Sequence, residues 1–243
     1  MEALECDTAP VEVAYGQYFC PIARGAEIFA TRRTPIIVRN LLLGCSTLSE
    51  IQAGAPGMPR SLLSQRMRQL ESLGVVRRRA KPSGRGWFYE LTPAGRELES
   101  VCDALGTWGA KWLEAVPVPL DPGVLLWAFC KSIGPERIPA GRVVVRVHFR
   151  DAPKHRFWLL IEPPRPEVCI KPPGYDEDLI LTSDTESLAK WHMGRISLGH
   201  AMRSGLIAID GPGHLVREFA KLGGLGRFAA VAAARPDRAT AAA

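Results

Sequence analysis

Residues 59–96 read PRSLLSQRMRQLESLGVVRRRAKPSGRGWFYELTPAGR, and the two halves of this stretch have different periods. From Pro59 to Leu73 the apolar residues Leu63, Met67 and Leu70 recur at helical spacing and Gly74 supplies a stop, which predicts an amphipathic helix. Its other face carries Arg60, Ser61, Ser64, Gln65 and Arg68, hydrogen-bonding side chains of the kind that meet base edges when a helix enters a major groove. Val75 to Ala80 and Trp87 to Leu91 then flank Lys81-Pro82-Ser83-Gly84-Arg85-Gly86, which predicts a hairpin with a basic, glycine-rich tip. Successive strand residues face opposite sides, so Arg77 and Arg79 share one face and Arg78 points away. Nine cations between Pro59 and Arg96 oppose only Glu71 and Glu90, a local charge of +7 in a chain of net +6. Clustered Lys and Arg attract polyanions by neutralising phosphates and releasing counterions.

Working outward, Ile22 to Thr31 and Ile36 to Leu43 read as two short helices, the second opened by Thr34 as N-cap and Pro35 at the first helical position and stopped by Gly44. Thr47 and Glu50 have capping-box spacing for a third helix ending near Ala53-Gly54. Two helices joined by a tight turn and followed by a basic hairpin describe a winged helix-turn-helix. A helical domain whose hairpin merely completed the core would leave Lys81, Arg85 and the polar helix face without a purpose.

Four segments carry a family resemblance: Tyr18-Phe19-Cys20-Pro21-Ile22-Ala23-Arg24, Thr34 to Gly44, Leu62 to Glu71, and Tyr89-Glu90-Leu91-Thr92-Pro93-Ala94-Gly95. In this order, over about Tyr15 to Trp112, the chain resembles the HxlR family of bacterial winged-helix regulators. The resemblance implies a cytoplasmic homodimer that binds pseudo-palindromic double-stranded DNA. Three positions depart from the family pattern: Arg33 replaces a usual tryptophan, Pro59 a usual serine ahead of the recognition helix, and Pro35 an aliphatic residue. Cys20 aligns with a cysteine that some members use to sense oxidants or electrophiles, with Arg24 one turn on as a source of positive charge. The alternative for Cys20 is a small residue that fixes the helix entry.

After the hairpin a helix runs from Thr92 to about Trp112. Leu98, Val101, Leu105, Trp108 and Trp112 fall at spacings of 3, 4, 3 and 4, a heptad seam. Such a seam requires a partner, either a second copy, as the resemblance implies, or the first helix of the same chain. The winged-helix domain is therefore expected over 15–113.

The proline-rich stretch 114–123 reads as a semi-rigid linker. Beyond it come a short apolar helix (Val124 to Lys131), strands at Arg142 to Arg150, Phe157 to Glu162, Glu167 to Lys171 and Leu179 to Thr182, helices near Leu188 to Trp191 and Ile196 to Arg203, a strand at Leu206 to Ile209, and a last helix. Four strands in succession suggest an antiparallel sheet, and strands followed by helices give an α+β class. This order resembles the sterol-carrier-protein fold over 124–228, which implies an apolar cavity for a hydrophobic small molecule. Phe149, Trp158, Leu188, Trp191 and Met202 are the candidate lining residues, with ordinary core as their alternative role. Residues 229–243 read as a flexible tail.

The 243 residues, 47% hydrophobic and 23% charged, can bury a core and exclude a mainly disordered or collagen-like chain. The start lacks a secretory pattern and no apolar run approaches the ~20 residues of a membrane span, so no membrane partner is expected. Six scattered cysteines form no Cys-x-x-Cys pair, which argues against a zinc finger or a disulfide framework. No nucleophile elbow, P-loop, zinc-protease helix or complete dinucleotide fingerprint occurs, so neither an enzyme nor a cofactor is expected. Besides a regulator controlled by a ligand, two readings remain at this level: a thiol switch through Cys20, and a lipid-binding carrier whose front half makes only protein contacts.

Overall fold

The computed structural model describes residues 19–113, 120–222, 224–232 and 234. Tyr15 and Tyr18, most of the expected linker and most of the expected tail lie outside these residues. The first half contains helices α1 (Pro21–Phe29), α2 (Thr34–Leu42), α3 (Leu48–Ala53) and α4 (Arg60–Ser72), the antiparallel hairpin β1 (Val76–Ala80) and β2 (Trp87–Leu91), and the long helix α5 (Pro93–Trp112). Local chemistry explains most of these boundaries. Thr47 accepts from the Glu50 amide while the Glu50 carboxylate accepts from the Thr47 amide, so the expected capping box closes. Gly74 takes φ +70° after α4, and Thr92 caps α5 by accepting from the Gly95 amide at 3.1 Å. A Cβ at Gly95 would collide with the Val75 carbonyl, so only glycine lets α5 leave the hairpin this closely.

The start of α2 differs from the expectation. Thr34 is not the N-cap but the first helical residue, buried, with its hydroxyl 2.5 Å from that of Thr31. Arg33 occupies the cap position at φ +74°, a left-handed conformation that costs a side-chain-bearing residue about 1–2 kcal/mol. Its guanidinium donates to the Gly57 carbonyl at 2.6 Å, so the bend is anchored to the loop before α4. Pro59 precedes α4 without any side-chain cap.

The second half forms α6 (Pro122–Ser132), β3 (Val143–Phe149), β4 (Phe157–Ile161), β5 (Glu167–Cys169), β6 (Leu179–Ser183), α7 (Thr185–His192), α8 (Leu198–Arg203), β7 (Ile207–Asp210) and α9 (Gly213–Lys221). Asp121 caps α6 by accepting from the Gly123 and Val124 amides, so Pro122 and Gly123, expected in the linker, form its first turn. The class is α+β, but the sheet is mixed rather than antiparallel throughout. Its order is β5-β4-β3-β6-β7, and β3 pairs with β6 in parallel. The cause is the connection 170–178, which crosses from one edge to the far side of β3 so that β6 re-enters in the direction of β3.

Two hydrophobic cores result. One joins α1–α4 to the hairpin through Ile37, Ile51, Leu63 and Met67, and the other joins one sheet face to α6, α7 and α9 through Phe129, Val145, Leu188 and Phe219. Trp127 of α6 packs against the first core, which ties the two halves together.

Candidate nucleic-acid interface

Burial sorts the α4 side chains as the spacing required. Leu63, Met67 and Leu70 are buried, while Arg60, Ser61, Gln65 and Arg68 are exposed and Ser64 is half-buried. Positions 61, 64, 65 and 68 stand at i, i+3, i+4 and i+7, which is one helix face. Arg60 reaches only the Ser49 hydroxyl at 3.4 Å, and among the described residues the Ser61, Gln65 and Arg68 side chains make no hydrogen bond. The face holds cations and amide groups that the protein itself leaves unused.

The hairpin is more internally paired. Arg77 and Arg79 share a face as expected, but both meet Glu90, at 2.9 and 3.6 Å. Arg78, on the other face, bonds Glu71 at 3.1 Å and lies 4.5 Å from the centre of the Trp87 ring. These pairs are solvent-exposed, and such pairs contribute only about 0–1 kcal/mol, so a phosphate can compete for the arginines. At the tip, Lys81 sits 5.1 Å from the Phe88 ring centre and Arg85 is exposed with no partner among the described residues. The cationic strip without ion pairs among the described residues is therefore narrower than the sequence suggested, with Arg60 and Arg68 on the helix and Lys81 and Arg85 on the tip.

Along α5, Leu98 turns into the first core, whereas Val101, Leu105, Trp108 and Trp112 are exposed, Trp108 by 55%. Isolated exposed apolar residues are ordinary, but a stripe along one helix signals an interface. Helix α1 does not cover this stripe. Cys20 is exposed at the N-cap of α1, where its carbonyl accepts from the Arg24 amide at 3.1 Å.

The candidate ligand residues scatter. Phe149, Leu188 and Trp191 are buried within the second core, with Trp191 5.5 Å from Phe129 between ring centres. Trp158 is buried on the opposite sheet face, beneath the 170–178 connection, and its indole N–H donates to Glu177 at 2.8 Å. Met202 is on the surface. None of the five lines the large hollow of about 760 Å³ between the two halves, walled by α2, α5, α6 and the segment 225–229. Sequence patterns missed that hollow because its walls come from separate segments spread between Pro35 and Ala229, and a local signal on α5 is the small-residue spacing of Gly106 and Gly109. Among the described residues no group of His, Cys, Asp and Glu could hold a metal ion, and no helix is long and apolar enough to cross a membrane.

A helix-turn-helix with a hairpin wing and a bare polar recognition face defines a DNA-binding module. The profile of the HxlR-like helix-turn-helix family matches residues 28–117, and the chain belongs to that family. It is 32% identical over 97 residues to the uncharacterized HTH-type transcriptional regulator YvaP of Bacillus subtilis, covering 39% of this chain and 90% of that protein. It is 30% identical over 98 residues to the uncharacterized HTH-type transcriptional regulator sll1512 of Synechocystis, covering 40% and 73%. Among solved structures, the UbiJ-SCP2 ubiquinone synthesis protein aligns with 18% identity and a TM-score of 0.30, covering 54% of this chain and 96% of that one.

Proposed function

We propose that this HTH regulator reads operator DNA as a cytoplasmic homodimer, with no catalytic role. Arg60, Ser61, Ser64, Gln65 and Arg68 enter the major groove, while Lys81 and Arg85 contact the adjacent minor groove or its phosphates and Arg77 and Arg79 exchange Glu90 for phosphate oxygens. The observation that carries the reading is the exposed α4 face, on which the Ser61, Gln65 and Arg68 side chains make no hydrogen bond among the described residues. The α5 stripe of Val101, Leu105, Trp108 and Trp112 supplies the dimer seam, because a two-fold axis sets two recognition helices about one DNA turn (~34 Å) apart. The functional division is a DNA-binding unit over 15–113 and, after a connection that ends before the α6 cap at Asp121 instead of at the expected residue 123, a second unit up to residue 228 through which a hydrophobic small molecule controls the first.

The test is the salt dependence of binding to genomic fragments that the protein retains. Replacing Arg85 by Ala should weaken binding to every sequence and flatten the slope of log affinity against log salt by about one unit. An unchanged slope removes the wing from the interface.

A further inference from the structure

The hollow between the two halves is apolar on most of its wall, through Ile36, Leu42, Leu105, Trp127 and Phe228. Its volume of about 760 Å³ falls within the ~300–1,000 Å³ typical of small-molecule sites. The charged groups on the wall are not balanced. Among the described lining residues Arg39, Lys131, Arg195 and Arg227 face one carboxylate, Asp103, which Arg227 already holds at 2.6 Å, and Glu50 acts on Lys131 only from outside the wall. Among the described residues Arg39, Lys131 and Arg195 form no ion pair. Arg39 and Lys131 instead flank the Trp127 ring, at 5.5 and 6.0 Å from its centre.

Arg195 adds a second, independent observation. Its Nη1 and Nη2 donate to the Val231 and Ala110 carbonyls at 3.0 and 2.7 Å, but its Nε is buried with no partner among the described residues. A buried donor left unpaired is destabilising, so such a group calls for an acceptor. Burial also lowers the Arg39 pKa, and its guanidinium donates to Asn40 Oδ1 and the Gly54 carbonyl, neutral acceptors that leave its charge unpaired. Desolvated cations beside an apolar wall match a ligand with an acidic head and a greasy body.

From these observations we infer that the hollow between α2, α5 and α6 is the effector site and that it binds an amphipathic organic anion, a carboxylate or sulfonate head on an apolar body. The head pairs with Lys131 and Arg39 and the body lies along Leu105 and Phe228. The inference deepens the ligand-controlled reading above and relocates the site from the second core to the junction of the two halves.

The test uses two fluorescent probes with the same fused-ring body, anilinonaphthalenesulfonate and its neutral counterpart phenylnaphthylamine. Titrations use the full chain without DNA. The anionic probe should bind one per chain and about tenfold or more tighter than the neutral one, the worth of one charge-assisted hydrogen bond. Lys131→Gln should remove most of that difference while leaving the neutral probe's affinity unchanged. Ala128→Trp fills the hollow from α6 and should abolish binding of both probes. Gly109→Leu fills it from α5, where an added Cβ meets nothing closer than 3.9 Å, and serves the same purpose if the first variant fails to fold. Equal affinities for the two probes, or binding that survives both filling variants, would overturn the inference. Because DNA is absent, a failure of Arg85→Ala to alter operator binding is a separate outcome and leaves this result readable.

Discussion

Gly106, in the middle of α5, offers a sharp test of how the C-terminal segment sits on the DNA-binding unit. Glycine inside a helix is less stable than alanine by about 1 kcal/mol, so Gly106→Ala should ordinarily stabilise the protein. Here the added Cβ would overlap the Phe228 ring, whose third-nearest atom, Cε1, would still be only 2.8 Å away. The ring tip must swing out. Phe228 is half-buried, so its displacement forfeits about 1–1.5 kcal/mol, roughly half the value of burying a phenylalanine fully. The two effects nearly cancel, and Gly106→Ala alone should be close to neutral. In a Phe228→Ala background the three atoms nearest the added Cβ are gone, and the same substitution should gain about 1 kcal/mol. Urea denaturation of the four proteins measures the coupling, expected at about 1–1.5 kcal/mol. If Gly106→Ala stabilises equally in both backgrounds, to within about 0.5 kcal/mol, Phe228 does not rest on α5 and the segment is not a wall of the hollow.

Two further outcomes follow from the same geometry. Charging the exposed α5 stripe with Val101→Glu and Trp108→Glu should halve the sedimenting mass and abolish retention on a pseudo-palindromic site with the thermal midpoint of each chain little changed; an unchanged dimer would place the seam elsewhere. Burial lowers the His192 pKa from 6.5, partly opposed by the hydrogen bond to the Gly224 carbonyl, so above that value both folded and unfolded states hold the ring neutral. As pH falls below about 6.5 the unfolded chain takes up the proton first and stability drops, a loss that His192→Asn should lessen in denaturation midpoints followed from about pH 7 to pH 5.

The first half was legible in the sequence because its signals are local. The Thr47/Glu50 box, the Gly74 stop and the glycines of the hairpin tip each act within a few residues, and the structure realises all three. Three features depended on distant partners and could not be read. The left-handed Arg33 is held by a carbonyl 24 residues away. The parallel β3–β6 pair follows from where the 170–178 connection crosses, which strand periodicity does not encode. Glu90 neutralises part of the basic strip only because the hairpin register sets it opposite Arg77.

The ties between the two halves indicate how occupancy of the hollow would reach the DNA. Arg165 donates to the Gly44 carbonyl just beyond α2, Arg195 to Ala110 on α5, and Arg227 to Glu99 and Asp103 on the same helix. The C-terminal half therefore grips both the scaffold of the recognition helix and the proposed dimer seam. A ligand shifts operator affinity only to the extent that it binds the two arrangements of these helices unequally, and each tenfold change requires about 1.4 kcal/mol of that difference. One charge-assisted bond to Lys131 or Arg39 is of that size. A body wedged between Leu105 and Trp127 would add its packing energy only in the arrangement that leaves those walls apart. With such a ligand the head group would fix which molecules bind, whereas the width of the apolar gap would decide whether binding releases or retains the operator.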